Sequence, residues 1–515
     1  MEKRALTRRQ FMRGALFGAA GVALAACGAT PTPQVVEKVV TQVVKETSVV
    51  EVTKVVASTP EVIKETVVVE RTVPVTVQAP VTIEVWWWVG PTQEGVIKVF
   101  QEMNPKITVD LVDLGEAVYG TPKFTTAVAA GHGPDVAYQN RHTFQQFSAR
   151  NLYLPIDDLF QRDGYKRDDF PANQMQTLTW NGTLYGLADQ VGMRFFYWNR
   201  KHFEEAGLDP NVGPQTWDDI IEFSQKLIKK TGDTYDRYAF IPGFPPGLKD
   251  QLLIFALENG GVTKDPTGRK SMIDAPEWVE ALDWCVKYTD QYCGGFEGAS
   301  GTMQGFAGQA QDMFASGKIS MSSYGDWMMG TYAAYPDLDY DGFATMPTSA
   351  SYKGHKVNWA CDWSWAMTQK KGGHVEEGWT FIKYAISADR FKAESTVGMQ
   401  LAAEQWKREN LPGTPIYYAE PPAYAPAREW VTKEIYGKYP ERLAKMAANN
   451  ADAAVWSPEC GILGGLAATE LWTEMATAWE KAMSHTASPQ EAMATAAANH
   501  QKALDDAWAQ IEKKS

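Results

Sequence analysis

"VTIEVWWWVG", residues 81–90, opens the folded part of the chain and indicates its class. Apolar and polar residues alternate at its start, which is the period-two pattern of a β-strand. The following sequence predicts a helix over 93–103, a strand at "ITVDLVDL", a helix over 120–130 and a strand at "PDVAYQN". Strands that alternate with helices predict an α/β fold with a mainly parallel sheet.

Three consecutive tryptophans, Trp86, Trp87 and Trp88, end this first strand. Because side chains alternate between the two faces of a strand, we expect Trp86 and Trp88 on one face and Trp87 on the other. One face packs on the core, and the last residue lies near the turn "VGP". Open α/β sheets bind ligands beyond the carboxyl ends of their strands, so the end of this strand is a candidate binding edge.

Local signals define other elements. Asn181-Gly182 lies between two extended runs and predicts a tight hairpin. Thr216 is followed three positions later by Asp219, which predicts a capping box at a helix start. Ser488, Pro489 and Glu491 predict another helix start, and the pattern of 466–511 is helical.

The first 27 residues predict an export signal. "TRRQFMR" carries two adjacent arginines, and an apolar run then leads to Leu24, Ala25, Ala26 and Cys27. This resembles a twin-arginine signal joined to the lipobox of bacterial lipoproteins. We expect lipidation of Cys27 and anchoring to the outer face of the cytoplasmic membrane.

Residues 28–80 consist almost entirely of Val, Thr, Glu, Lys and Pro and contain no aromatic residue. Such a segment cannot bury enough surface to form its own core, so we expect a low-complexity stalk. Pairing of its β-branched repeats with a neighbour is the alternative. The remaining chain, about 435 residues, exceeds the size of one hydrophobic core and predicts two lobes.

Composition and motifs narrow the chemistry. The formal net charge of −13 disfavours nucleic acid and anionic membrane surfaces as partners. The chain lacks the sequence signatures of serine hydrolases, zinc proteases and P-loop proteins, so we expect no cofactor and no metal. "DLDYDG" places Asp337, Asp339 and Asp341 as in the opening of a calcium loop, but Thr348 stands where a glutamate ligand belongs. A solvated turn is the prediction there.

Four cysteines follow the signal: Cys285, Cys293, Cys361 and Cys460. Four cysteines allow three disulfide connectivities, and the sequence leaves the pairing open. A bond between Cys285 and Cys293 would require their helix to end before Cys293, because eight helical residues rise about 12 Å.

"YGLADQVGMRFFYWNRKHFEEAGLDP" (185–210), followed by "PQTWDDIIEFSQKL" (214–227), resembles the signature of family 1 extracellular solute-binding proteins. These are the maltose-binding-protein-like receptors of ABC importers. The resemblance implies a type II periplasmic-binding-protein-like fold with two α/β lobes, a hinge and a central ligand cleft. Its approximate boundaries are 81–190 plus 358–405 for the N-terminal lobe and 191–357 plus 406–515 for the C-terminal lobe. Crossing segments are expected near 188–193, 355–360 and 400–415.

The resemblance also implies the ligand contacts. Sugar rings stack on aromatic side chains, and sugar hydroxyls need carboxylate and amide partners. The implied ligand-binding residues are Trp87, Trp88, Asn140, Asp189, Gln190, Phe244, Trp327, Asp362 and Trp363. Asp362 and Trp363 stand where many members have glycines, which would narrow the cleft there.

The implied function is a non-enzymatic, monomeric receptor that captures a carbohydrate, an oligosaccharide or glycoside, and delivers it to the permease subunits of an ABC importer. Another polar solute, such as a peptide, a polyamine or a polyol phosphate, is the first alternative. A secreted glycoside hydrolase is the second, and it would need two carboxylates about 5 to 9.5 Å apart.

Overall fold

The computed structural model describes residues 39–54, 61–76, 80–113, 115, 122–243, 251–306, 312–335, 337–360, 363–411, 413–458 and 460–513. The chain forms two units, Met1–Ala79 and Pro80–Ser515. In the first unit, β1 (Val39–Lys54) pairs with β2 (Glu61–Thr76) in an antiparallel ladder. The β-branched repeats of this segment therefore pair with each other within the chain. That the segment is a stalk stays a prediction.

The second unit contains all the other elements. Its strands are β3 (Val81–Trp87), β4 (Ile107–Asp113), β5 (Val136–Asn140), β6 (Thr179–Trp180), β7 (Thr183–Leu184), β8 (Leu187–Ala188), β9 (Arg194–Asn199), β10 (Lys229–Thr231), β11 (Thr234–Arg237), β12 (Met321–Gly325), β13 (Tyr340–Phe343) and β14 (Trp363–Met367). Its helices are α1 (Pro91–Met103), α2 (Pro122–Ala129), α3 (Phe144–Ala149), α4 (Asp157–Arg162), α5 (Ala172–Thr177), α6 (Arg200–Glu205), α7 (Trp217–Leu227), α8 (Gln251–Glu258), α9 (Pro276–Tyr292), α10 (Gly295–Phe306), α11 (Met328–Ala333), α12 (Val375–Ala385), α13 (Ala388–Glu409), α14 (Ala425–Glu434), α15 (Glu441–Trp456), α16 (Cys460–Gly464), α17 (Ala468–Met483) and α18 (Pro489–Glu512).

Two sheets organise this unit. The first has the order β4-β3-β5-β14-β8, and the second has the order β12-β9-β13. In the first sheet β3 is parallel to β4 and β5, whereas β14 is antiparallel to β5 and β8. The second sheet is antiparallel throughout. The prediction of parallel strands is therefore right for the βαβ region and wrong for β14 and for the second sheet.

Helices cover both sheets. On the first, α12 packs on β14 and α13 packs along α1. The hydroxyl of Tyr384 donates to the carbonyl of Val96 at 2.9 Å, and the rings of Phe100 and Phe381 lie 5.1 Å apart. On the second sheet, α15 packs against β13, and α6 packs against β9 and β13. Each sheet therefore has its own helical layer.

The local signals of the sequence are confirmed. Trp180 pairs with Thr183 around a turn in which Asn181 and Gly182 have φ of 47° and 84°, the left-handed values that this hairpin type requires. The predicted capping box forms at the start of α7 with Thr216, and the predicted helix start at Ser488 begins α18 and has a capping box as well. The helical region 466–511 divides into α17 and α18.

Two extended segments connect the two sheets, and a third, between α13 and α14, lies beside them. The first runs from β8 to β9, and Met193 in it forms a bridge with Ala360 of the second, near the predicted positions. Gln190 bridges Pro422 of the third. Pro422 lies beyond the range 400–415 that was predicted for the third crossing segment. Much of that range belongs to α13. The crossing segments therefore meet between the end of β8 and the start of β9, and the exact lobe boundaries stay a prediction.

Candidate functional site

The tryptophan triplet divides between two environments. The ring of Trp86 contacts Phe124 at 6.1 Å, and the ring of Trp87 contacts Trp365 at 5.0 Å. Trp87 is only 2% exposed, so its ring belongs to the core of the first lobe. Strand β3 ends at Trp87, and Trp88 is half-buried at the strand end.

The expected grouping of Trp86 with Trp88 is wrong. Trp88 lies 5.3 Å from Tyr138, the same ring that Trp87 contacts at 5.7 Å. The alternation of faces stops with the strand, so the backbone turns Trp88 toward the Trp87 side. Trp363 completes this cluster, 4.6 Å from Trp88 and stacked on Tyr138 at 5.4 Å. Trp88 and Trp363, both half-buried, thus lie together at the edge of the first sheet.

Asp189 is fully buried in an ion pair. Its Oδ2 lies 3.2 Å from Arg390, whose side chain is 3% exposed, and accepts a 2.8 Å hydrogen bond from Tyr138. Burial raises the pKa of Asp189, and the charge of Arg390 opposes that rise. This carboxylate is engaged with the framework of the first lobe, and its contact with a ligand stays a prediction.

The neighbouring strand ends are joined by polar side chains. The guanidinium of Arg141 is fully buried and donates to the carbonyls of Gln190 and Trp363 at 3.0 and 2.9 Å. The amide of Gln190 donates to Glu420 at 2.7 Å, which connects the first crossing segment to the third. Asn140, at the end of β5, accepts hydrogen bonds from the backbone and ring of His142. These contacts set the ends of β5, β8 and β14 at one edge.

Trp327 follows the end of β12 in the second sheet and is 36% exposed. A Cβ at Gly325 would lie 2.1 Å from the Trp327 ring, so glycine is needed for the ring to fold back over the strand. Between them, Asp326 is fully buried and accepts hydrogen bonds from the Met193 backbone and from Asn450 at 3.1 and 2.6 Å. Burial raises the pKa of Asp326 to about 6.

Three tryptophans, one arginine and one histidine form a continuous series of ring contacts. We call Trp327, Trp359, Trp472, Arg194 and His142 the aromatic box. The Arg194 guanidinium lies 5.5 Å from the Trp327 ring and 5.4 Å from the Trp359 ring. The Trp359 and Trp472 rings are 5.6 Å apart, and Trp472 lies 5.5 Å from His142. Sequence reasoning named only Trp327 of these five.

Asn140 connects the box to the cluster formed by Trp88, Tyr138 and Trp363. Asn140 bonds to His142 of the box and is the cross-strand partner of Trp363. Predicted residues from both sheets are therefore joined in one series of contacts. Phe244 and Asp362 lie outside the described residues, and their roles stay predictions.

The box presents unused hydrogen-bond donors. The indole nitrogens of Trp359 and Trp472 are buried, and within the described part of the chain neither has an acceptor. Trp359 is only 4% exposed. Protein atoms enclose both nitrogens, so a ligand oxygen could reach them only if the surrounding side chains moved. The apolar surfaces that the box offers are the exposed part of the Trp327 ring and the half-buried Trp472 ring.

A cavity of about 680 Å³ lies on the other side of the segment 460–467, which comprises α16 and the following turn. We call this cavity the groove and the segment the strap. None of the residues predicted from sequence lines the groove. Gly464 of the strap faces the box, because a Cβ there would lie 3.5 Å from the His142 carbonyl and 4.0 Å from the Trp472 indole nitrogen. The next residue, Gly465, lines the groove. One backbone segment thus separates the groove from the box.

The remaining candidates have structural surroundings. Cys285 and Cys293 are free and buried, the latter at the C-terminal cap of α9. Cys27 and Cys361 lie outside the described residues. In the "DLDYDG" loop, Asp339 binds Arg200 and Arg442. No three His, Cys, Asp or Glu side chains lie together as metal ligands in the described ranges, and no helix there has the length and apolarity to cross a membrane.

The two-lobed α/β framework has the fold of the type II periplasmic binding proteins. Residues 95–402, more than half of the chain, match the family described as bacterial extracellular solute-binding protein. The chain belongs to this family. Members bind solutes rather than convert them and act outside the cytoplasm.

Similarity to individual relatives is lower. The chain is 28% identical over 152 residues to the arabinooligosaccharide-binding protein of Bacillus subtilis (strain 168), which is 28% of this chain and 35% of that protein. It is 26% identical over 275 residues to the mannitol-binding protein of Pseudomonas aeruginosa, 52% of this chain and 60% of that protein. The matches span about one third and three fifths of those relatives.

Solved structures show the same fold. CpMnBP1 with mannobiose bound has a TM-score of 0.64 and 22% identity, and the alignment covers 82% of this chain and 100% of that one. MalE from Xanthomonas citri has a TM-score of 0.61 and 17% identity, with 84% and 100% covered.

Proposed function

We propose that this protein captures a carbohydrate, an oligosaccharide or glycoside, and delivers it unchanged to the permease subunits of an ABC importer. The observation that carries the proposal is the aromatic box. Its partly exposed rings, Trp327 and Trp472, offer stacking surfaces for the apolar faces of sugars. The named ligands of relatives, arabinooligosaccharide and mannobiose among them, support the same ligand class.

The contacts expected to hold the sugar come from both sheets. Trp88 and Trp363 offer partly exposed rings at the first sheet, and Trp327 offers one at the second. Asn140 and Gln190 supply amides between them. Since Trp87 and Asp189 are enclosed in the first lobe, their contribution is to hold these groups in position. Ligand contacts from both lobes would favour the closed state, which is the conformation delivered to a permease.

The test is a thermal-shift and calorimetric screen of purified protein with manno- and arabino-oligosaccharides, mannitol, peptides, polyamines and polyol phosphates. A ligand at 100 times its dissociation constant stabilises the protein by about 2.7 kcal/mol. We expect a saccharide to raise the melting temperature. Stabilisation by a peptide, polyamine or polyol phosphate, with none by saccharides, would contradict the proposal.

Trp327→Ala should weaken saccharide binding by about 1–3 kcal/mol, from one stacking contact plus lost burial. Trp430→Ala, at a half-buried tryptophan of α14, is the matched control. Chromatographic analysis of the incubated oligosaccharides addresses the hydrolase alternative: release of shorter products would support an enzyme, and unchanged sugars support a receptor.

We also propose export through the twin-arginine signal, anchoring through Cys27 and a monomeric state. Cys27→Ser should release the protein from the membrane fraction in cells that secrete it. Light scattering of the purified protein should give the mass of one chain, and a larger mass would contradict a monomer.

A further inference from the structure

Tyr138 carries a further inference, which rests on the proposed function and deepens it. Its side chain is 1% exposed, on the middle strand β5 of the first sheet, so it is not itself a surface for a sugar. The rings of Trp87, Trp88, Trp363 and Trp365 pack around it, with centroids 4.4 to 5.7 Å away. One buried ring therefore contacts four tryptophans.

These four tryptophans differ in exposure. Trp87 and Trp365 are enclosed in the core, 2% and 0% exposed, whereas Trp88 and Trp363 are half-buried. The half-buried rings are the two that we expect to contact the saccharide at the first sheet, and they lie 4.6 Å apart at an angle of 76°. Tyr138 thus joins the enclosed pair to the half-buried pair.

The ring of Trp363 is stacked on Tyr138. Their planes are only 15° apart, with the centroids at 5.4 Å. The main chain of Trp363 is held separately, because its carbonyl accepts hydrogen bonds from the backbone N–H of Asp189 and from Arg141 at 3.1 and 2.9 Å. These bonds fix the main chain of Trp363, and ring contacts set the orientation of its side chain.

Trp88 depends on packing in the same way. The last ladder pair between β3 and β4 is Trp87 with Asp113, so Trp88 lies beyond this ladder. Its ring is edge-on to Tyr138 at 5.3 Å. Such contacts select one orientation, because the edge of an aromatic ring is positive and its face negative. The orientation of both half-buried tryptophans therefore depends on the Tyr138 ring.

The hydroxyl of Tyr138 has a separate task. It donates to Oδ2 of Asp189 at 2.8 Å, and this oxygen also lies 3.2 Å from Arg390. The bond satisfies a buried donor and a buried carboxylate, so its loss lowers the stability of the fold. The ring contacts remain when only the hydroxyl is removed. The two parts of the side chain can therefore be tested separately.

We propose that Tyr138 is the positioning residue of the saccharide site, whose ring holds Trp88 and Trp363 in the orientation that stacks on the ligand. A site that adopts its binding arrangement for only a fraction of the time binds more weakly by that fraction. Loss of the Tyr138 ring therefore weakens binding although no group that touches the sugar is removed.

The first experiment is calorimetry of the purified protein with mannobiose, mannotriose and arabinotriose. Tyr138→Leu removes the ring and should weaken saccharide binding about threefold to tenfold. Tyr138→Phe keeps the ring and should bind within about twofold of wild type, although its melting temperature falls. If Tyr138→Leu does not fold, Tyr138→Met fills more of the space and takes its place.

Tyr153→Leu is the matched control. Tyr153 is also fully buried, and it contacts the rings of Phe124, Phe144 and Phe147. Its loss should lower the melting temperature and leave saccharide affinity unchanged. An equal loss of affinity in Tyr153→Leu and Tyr138→Leu would show a general effect of core destabilisation and overturn the positioning role.

A second experiment tests whether Tyr138 acts through the two half-buried rings. In a protein that already carries Trp88→Ala and Trp363→Ala, Tyr138→Leu should cause no further loss of affinity, because residues that act through one another are not additive. A further loss as large as that in wild type would overturn the proposal, as would wild-type affinity of Tyr138→Leu itself. Both results would leave the receptor function standing.

A third measurement needs no ligand. Fluorine NMR of protein labelled with 5-fluorotryptophan reports each ring, and Trp88→Phe and Trp363→Phe assign the two resonances. These resonances should broaden or split in Tyr138→Leu and stay single in Tyr138→Phe and Tyr153→Leu. Single, sharp resonances in all three would overturn the positioning role. Absence of saccharide binding to wild type would instead overturn the receptor function, and the resonances would still decide whether Tyr138 orients the rings.

Discussion

Removal of the positive partner of Asp189 tests whether this carboxylate supports the framework. In Arg390→Met, Asp189 would remain fully buried with one hydrogen bond, the 2.8 Å bond from Tyr138. Loss of one member of a buried ion pair destabilises a protein by about 3–5 kcal/mol. In Asp189→Asn, by contrast, Arg390 keeps its 2.7 Å contact with Glu394. We expect that variant to lose only about 1–2 kcal/mol.

The assay is urea unfolding of both single variants and of the double variant, with saccharide affinity measured by calorimetry. The double variant should be more stable than the sum of the two losses by about 1–3 kcal/mol, because the residues are in direct contact. Affinity should stay within about threefold of wild type for Asp189→Asn if the residue only supports the fold. A loss of affinity of tenfold or more with normal stability would refute this and assign Asp189 to the ligand.

Three further predictions concern the hinge side of the site. The folded-state pKa of Asp326, raised to about 6, exceeds the unfolded value of about 3.9, so the folded state binds more protons and stability is lost as pH rises from 4 to 6. As pH rises from 4 to 7, the free energy of unfolding of Asp326→Asn should thus gain up to about 3 kcal/mol relative to wild type, measured by urea unfolding. A difference between the two proteins that stays constant with pH would contradict the pKa shift. Gly325→Ala should displace the Trp327 ring and weaken saccharide binding about as much as Trp327→Ala does. Full affinity of this variant in calorimetry would show that the ring tolerates the Cβ. Gly461→Ala should increase the radius of gyration of the ligand-bound protein in small-angle scattering, because the strap no longer fits against Thr177. Gly301→Ala, whose Cβ would have open space around it, should leave that radius unchanged.

Local sequence signals predicted the framework well because short-range physics decides it. The Thr216 and Ser488 capping boxes depend on residues three positions apart, and the hairpin depends on Asn181 and Gly182 alone. The order of the strands in the two sheets depends on distant pairings instead. Strand β14 enters the first sheet antiparallel, after the chain returns from the second sheet, and no local pattern near Trp363 records that return.

The site was harder to predict for the same reason. Trp472 lies on α17, far along the chain from His142 and Trp359, and the three meet only through folding. Burial is a second property that the sequence does not show. Trp87 packs against Trp365 and Asp189 pairs with Arg390, so both are buried, and their contact with a ligand stays a prediction. Trp327, in contrast, was named from the family resemblance, and the structure shows that Gly325 provides the space that its ring needs.

Asp326 links this ring to the segments that connect the lobes. Its carboxylate accepts hydrogen bonds from Met193 in the first crossing segment, from Tyr418 in the third at 3.1 Å, and from Asn450 on α15. Rotation of one lobe against the other must pass through these crossing segments. The next residue is Trp327, so the position of its ring depends on the arrangement in which the three donors converge. A saccharide stacked on that ring would therefore stabilise one hinge arrangement over others, which is how ligand binding becomes a change of shape.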